Sequence, residues 1–136
     1  MTLWPRHGIG DEFARFCLVG AVGFAVDAGL LQAVVWAGLD RYSGRVLSYL
    51  AAATTTWILN RNFTFRAAGA GAMHRQWARY VEVNALGAGI NYLVYAGCLL
   101  ASTTAYRYPA LGVAAGSGVA LLFNFAANRY LVFRRA

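Results

Sequence analysis

Between Phe16 and Leu39 only Asp27 and Gln32 interrupt an apolar run, and this stretch constrains the fold class more than any other. Crossing the ~30 Å hydrocarbon core of a bilayer takes about 20 mostly apolar helical residues, because a helix satisfies its backbone groups within the segment. Three further runs follow, from about Val46 to Phe65, from about Trp77 to Ala101 and from Pro109 to about Phe133. Asp11 is placed to cap the first helix near Phe13, and Pro109 suits the first turn of the fourth. The connections are short: Asp40–Arg45, the small-residue linker Ala67–Ala72, and Ser102–Tyr108. The expectation is an all-α membrane protein of four transmembrane helices, a single domain over residues 1–136.

Charge supports this reading and removes others. Only 12% of the residues are charged, and 12 basic residues, all arginine, against 5 acids give a net charge of +7. In so apolar a chain the basic excess points to anionic lipid head groups and away from nucleic acid. The first apolar run is too long for a cleaved signal and is expected to stay as a spanning helix. Arg6, Arg15, Arg61, Arg66, Arg75, Arg79, Arg129, Arg134 and Arg135 fall on one side of the membrane and only Arg41, Arg45 and Arg107 on the other, which makes both termini and the middle loop cytoplasmic. Trp4, Trp36 and Trp77 read as interface anchors. Cys17 and Cys98 read as small buried hydrophobes, not a bridge. His7 and His74 stand alone, so no metal or cofactor is expected, and no nucleophile or acidic nucleotide-sugar motif suggests an enzyme.

The sequence repeats itself. Trp57-Ile58-Leu59-Asn60-Arg61-Asn62-Phe63-Thr64-Phe65-Arg66 returns as Phe125-Ala126-Ala127-Asn128-Arg129-Tyr130-Leu131-Val132-Phe133-Arg134. The first helix laid on the third matches Arg15 to Arg79, Phe16 to Tyr80, Gly23 to Gly87 and Asp27 to Asn91; the second laid on the fourth also matches Gly44 to Gly112. The halves are about 12–66 and 76–134, each with two spans, so they are expected to be parallel repeats about an axis near the membrane normal. Asp27, Asn91, Tyr49 and Ser117 each lie twelve residues from an arginine, ~18 Å along a helix and so near the bilayer centre.

Helical phase groups Tyr49, Thr56 and Asn60, and likewise Ser117, Asn124 and Asn128. Gly20, Gly23 and Asp27 form a stripe matched by Asn84, Gly87 and Asn91. Polar groups facing lipid are costly, so these stripes are expected to face one another or a wet groove. Arg15, Asn60, Arg61, Arg79, Asn128 and Arg129 are candidate phosphate contacts, since guanidinium binds phosphate through paired hydrogen bonds; the arginines would form a cytoplasmic ring. Glu82 is the local counter-ion expected for Arg79. Asp27 is either a coupling acid or a protonated group bonded to Asn91 or Tyr49. Tyr49, Thr56, Glu82, Asn84, Asn91, Ser117 and Asn124 complete the groove candidates. The plain alternative for each Asn-Arg end is a snorkelling anchor. Gly112 and Gly116 read as packing within the chain.

The opening Arg15-Phe16-Cys17-Leu18-Val19-Gly20, the closing Trp57-x-x-Asn60-Arg61-x-Phe63-x-Phe65-Arg66 and the second closing Asn124-x-x-x-Asn128-Arg129-x-x-x-Phe133 resemble the GtrA-like family over about residues 12 to 134. The resemblance implies a bacterial inner-membrane protein of cell-envelope polysaccharide synthesis that flips polyprenyl-phosphate-linked sugars or is a subunit of such a flippase. It implies a membrane glycosyltransferase as partner. Four short helices enclose little volume, so a homo-oligomer, a dimer first, is expected. The rival readings are a proton-coupled exporter of small cations, resembling the small multidrug transporters and using Asp27, and a non-transporting assembly partner of the glycosyltransferase.

Overall fold

The computed structural model describes residues 8–65 and 72–133, so Trp4, Arg6, His7, Arg66, Arg134, Arg135 and most of the Ala67–Ala72 linker lie outside the described residues. The chain divides between Gly71 and Ala72 into two compact units.

In the first unit, α1 (Ile9–Trp36) and α2 (Arg41–Leu59) form an antiparallel hairpin, followed directly by a π-turn over Asn60–Thr64. Helix α1 begins at Ile9 with Gly8 as N-cap, so Asp11 lies in the first turn instead of capping it. Gly38, at φ 101°, supplies the left-handed residue of the connection, which glycine adopts without a Cβ clash. The turn is shorter than the sequence suggests because Asp40 caps α2: its carboxylate accepts from the Tyr42 and Ser43 amides at 3.1 and 2.8 Å. Helix α2 therefore starts at Arg41 and takes Arg45 into its second turn.

In the second unit, α3 (Met73–Ala101) packs along α5 (Pro109–Ala127), and a second π-turn covers Asn128–Val132. The Ser102–Tyr108 connection is not a simple turn but a short helix, α4 (Thr103–Arg107), whose N-terminus is capped by Ser102 accepting from the Ala105 amide. Pro109 opens α5, where its missing N–H costs nothing.

The two seams bury matching positions. Helix α1 buries Glu12, Phe16, Val19 and Gly23; α3 buries Gln76, Tyr80, Val83 and Gly87, each 64 residues on. Helix α2 buries Gly44, Ser48, Ala52 and Trp57, and α5 buries Gly112, Gly116, Ala120 and Phe125, each 68 residues on. Gly44 lies against Leu31, Val34 and Val35, and Gly112 against Tyr95 and Leu99. The ring pairs Phe16–Phe65 and Tyr80–Phe133 have centroids 6.1 and 5.9 Å apart. Small residues thus let each pair of helices approach closely, and buried aromatic side chains close each seam beside its π-turn. Phe24, Trp36, Leu93 and Leu100 are among many exposed apolar residues, as a lipid-facing surface requires.

Among the described residues, three helices are long and apolar enough to cross a membrane: Ile9–Trp36, Met73–Ala101 and Pro109–Val132. Helix α2 does not meet that measure, which departs from the expected four spans. The cause is its polarity: Arg41, Arg45, Ser48 and the run Thr54-Thr55-Thr56. Three of those hydroxyls are turned back on the helix, Thr54, Thr55 and Thr56 donating to the carbonyls of Leu50, Ala51 and Ala52.

Candidate functional site

Each Asn-Arg stretch forms a π-turn at the end of a hairpin. The ladder widens by one residue, and the Phe65 and Phe133 amides reach back to the Asn60 and Asn128 carbonyls, both at 2.8 Å. Such widened turns leave carbonyls unspent and recur at functional sites. The asparagine that begins each one is buried, Asn60 at 1% exposure and Asn128 at 0%, whereas the arginine that follows is half-buried in both. Burying the asparagine fixes where its arginine is presented.

The first π-turn is tied down on both sides. Thr64 Oγ1 donates to Asn60 Oδ1 at 2.8 Å. Arg15, on α1, donates to the Phe63 carbonyl at 3.0 Å, with its guanidinium 4.8 Å from the centre of the Phe63 ring. Arg15 therefore spends part of its donor fork on the chain itself. In the second π-turn Arg129 donates to the Tyr130 hydroxyl at 2.9 Å and stacks 5.2 Å from that ring. Arg79, the counterpart of Arg15, is exposed. The expected Arg79–Glu82 ion pair is absent among the described residues; both side chains point to the exterior, and two residues three apart on a helix need not meet. The division into units means that the four arginines are described as two pairs, Arg15 with Arg61 and Arg79 with Arg129.

Asp27 corrects a second expectation. It is not a lone acid: Arg45 Nη1 lies 2.6 Å from Asp27 Oδ2, and Ser48 Oγ donates to Oδ1 at 2.7 Å. Both carboxylate oxygens are engaged because α2 begins early enough to bring Arg45 alongside. Asn91 occupies the matching place in the second unit, against the Gly116 backbone. Asp27 with Ser48, and Asn91 with Gly116, thus mark one level in each hairpin, adjacent to Tyr49 and Ser117.

The stripes are narrower than helical phase implies. Gly20 is exposed and has nothing near it, so Val19 and Gly23 carry the seam. Thr56 places its methyl group against Gly23, its hydroxyl bonding to the Ala52 and Ala53 carbonyls at 3.0 and 3.1 Å. Asn84 donates to the Tyr80 carbonyl of its own helix at 2.8 Å. Ser117 is exposed, Tyr49 half-buried, and Asn124 projects into the space left by Gly87. Glu12, Gln76, Ser48 and Thr64 are buried polar residues that the sequence reading passes over. The 64-residue displacement that pairs Glu12 with Gln76 was the available signal.

A family model described as GtrA/DPMS, transmembrane domain, matches residues 15–133. The chain belongs to that family and is a multi-pass membrane protein. The family is linked generally to cell-surface polysaccharide synthesis.

Proposed function

We propose that this member of the GtrA/DPMS transmembrane-domain family moves a polyprenyl-phosphate-linked sugar across a bacterial inner membrane, alone or as a subunit of a flippase. The observation that carries the reading is the buried asparagine with an adjoining arginine on a π-turn at the end of each hairpin. An anchor requires the arginine but not a buried amide ahead of it. Arg61 in the first unit and Arg129 in the second each present paired donors suited to a lipid phosphate, and in the second unit Arg79 adds an exposed guanidinium. Arg15 acts through the Phe63 carbonyl, as a positioning residue.

In this reading α2 is the fourth span, both termini are cytoplasmic, and the two hairpins are copies of one ancestral unit. The Asp27–Arg45 pair and the back-bonded threonines support a membrane place for α2, because they lower the cost of its polar groups. The single domain, a homodimer and a glycosyltransferase partner belong to the same proposal.

The cation-exporter reading needs Asp27 as an open acid, and the engagement of both its oxygens speaks against it. The test is inversion of a labelled short-chain polyprenyl-phosphate sugar in liposomes. The expected result is inversion above empty vesicles, reduced at least about tenfold by Arg61→Ala with Arg129→Ala. No inversion by purified protein, together with copurification with a glycosyltransferase, would replace transport by the assembly reading.

A further inference from the structure

The hairpins bury matching positions but do not satisfy their polar groups alike. In the first π-turn Asn60 Oδ1 takes the Thr64 hydroxyl. The position of Thr64 in the second is Val132, also buried, whose side chain carries no hydroxyl. Asn128 Nδ2 donates to the Asn124 carbonyl at 2.7 Å, while Asn128 Oδ1 is buried with no hydrogen-bond partner. One turn deeper, Asn124 Oδ1 is in the same condition. Its counterpart Thr56 has a hydroxyl that bonds to its own helix. The Asn124 amide occupies the space a Cβ on Gly87 would need, so the glycine is what admits it to the seam. Buried amide oxygens ordinarily find donors. Two of them, about 6 Å apart from the last turn of α5 to the start of the second π-turn, form a neutral acceptor row that suits hydroxyl groups and not an anion.

We propose that Asn124 and Asn128, in the α3–α5 seam, form a subsite that accepts hydrogen bonds from the hydroxyls of a sugar. The proposal rests on the lipid-linked sugar reading and goes beyond it by assigning the sugar to one hairpin and to two named acceptors. The exposed Arg79 precedes Tyr80, whose ring meets Phe133 beside the second π-turn. Gly87, against which Asn124 packs, is eight residues past Arg79, so a phosphate held at Arg79 would be ~12 Å along α3 from Asn124 with the attached sugar between them. Entry requires the seam to part at Gly87, where the Asn124 amide fills the space that a side chain would otherwise take. The first hairpin offers no equivalent, since Thr64 already fills Asn60 Oδ1.

Val132→Thr places the missing hydroxyl beside Asn128 and tests the idea with a small change; Thr64→Val is its reciprocal, and Asn124→Ala removes the second acceptor. Full-length protein in nanodiscs is titrated with geranyl phosphate glucose and with geranyl phosphate. Wild type is expected to bind the sugar-bearing lipid about tenfold more tightly, the effect of roughly two hydrogen bonds. Val132→Thr and Asn124→Ala should each lose most of that preference without weakening geranyl phosphate, whereas Thr64→Val should keep it. A preference unchanged in both second-hairpin variants overturns the subsite and means that the acceptors hold water only. Lost preference without lipid inversion in liposomes would keep the subsite and reject translocation; inversion with the preference untouched would do the reverse.

Discussion

Arg45→Ala should destabilise the protein more than Asp27→Asn, although both break the same ion pair. Two unit charges about 4 Å apart at an effective dielectric near 20 attract by about 4 kcal/mol, and stripping one partner from a fully buried pair typically costs ~3–5 kcal/mol. The present pair is only partly enclosed: the Arg45 side chain is 58% exposed and that of Asp27 19%. Solvent screening brings the expected loss to ~1–3 kcal/mol. The asymmetry follows from the same figures. Without Arg45, Asp27 keeps the Ser48 hydroxyl but loses its compensating cation inside a spanning helix. With Asp27 neutralised, Arg45 can swing its long stem outward to the head groups, for a loss of about 1 kcal/mol or less. The double variant should recover part of the Arg45→Ala loss, with a coupling of ~1–2 kcal/mol. Thermal unfolding of the purified protein in one detergent, at fixed pH and salt, measures all three. Additive losses, or Asp27→Asn at least as damaging as Arg45→Ala, would refute the ion pair as the organising contact of this hairpin.

Two other perturbations have defined signs. In Gly116→Ala the new Cβ would stand 2.5 Å from the Asn91 carbonyl oxygen, a backbone atom that moves only with its helix, so ~1–3 kcal/mol should be lost; Gly118→Ala, with nothing within 4 Å, should be neutral or slightly stabilising, and equal melting temperatures for the two would count against the α3–α5 seam. The carboxyl of Asp40 is held below its ordinary value, first by the Ser43 amide and then by the Ser43 side chain and the Tyr42 amide. A depressed folded value stabilises above the unfolded pKa and is lost as pH falls through the folded one, so wild type should lose its advantage over Asp40→Asn only below about pH 4; a gap that is constant down to pH 2 would contradict the cap.

The helices were legible because lipid demands long apolar segments, and the seams were legible in outline because the chain states its helix contacts twice. Gly23 and Gly87, Gly44 and Gly112 already marked where backbones approach. The π-turns were not legible. Asn60-Arg61 and Asn128-Arg129 carry no propensity that separates a widened turn from a continuing helix, yet one extra residue shifts the phase of everything after it. Arg45 was misplaced for a local reason: the helix start depends on Asp40 bonding two amides, which a shortage of apolar residues after it concealed. Glu12 was missed because an acid near a helix start ordinarily faces water; at 1% exposure it does not. Only its alignment with Gln76, polar and buried in the other half, could have exposed that.

The same comparison bears on why two similar hairpins are kept as they are. A buried acceptor without a donor costs ~1–3 kcal/mol, a large share of the stability of a small domain. The remedy at Asn128 is near at hand, since threonine and valine have almost the same shape and Thr64 shows the hydroxyl in use at the matching position. Packing therefore does not account for Val132. Leaving Asn128 and Asn124 unsatisfied makes the closed second hairpin less favourable than the first, where Ser48 donates to Asp27 and Thr64 donates to Asn60. Whatever donor reaches the open acceptors gains most of that cost back as binding free energy. A hairpin that is complete holds the fold, and its incomplete copy has a thermodynamic reason to open for a ligand.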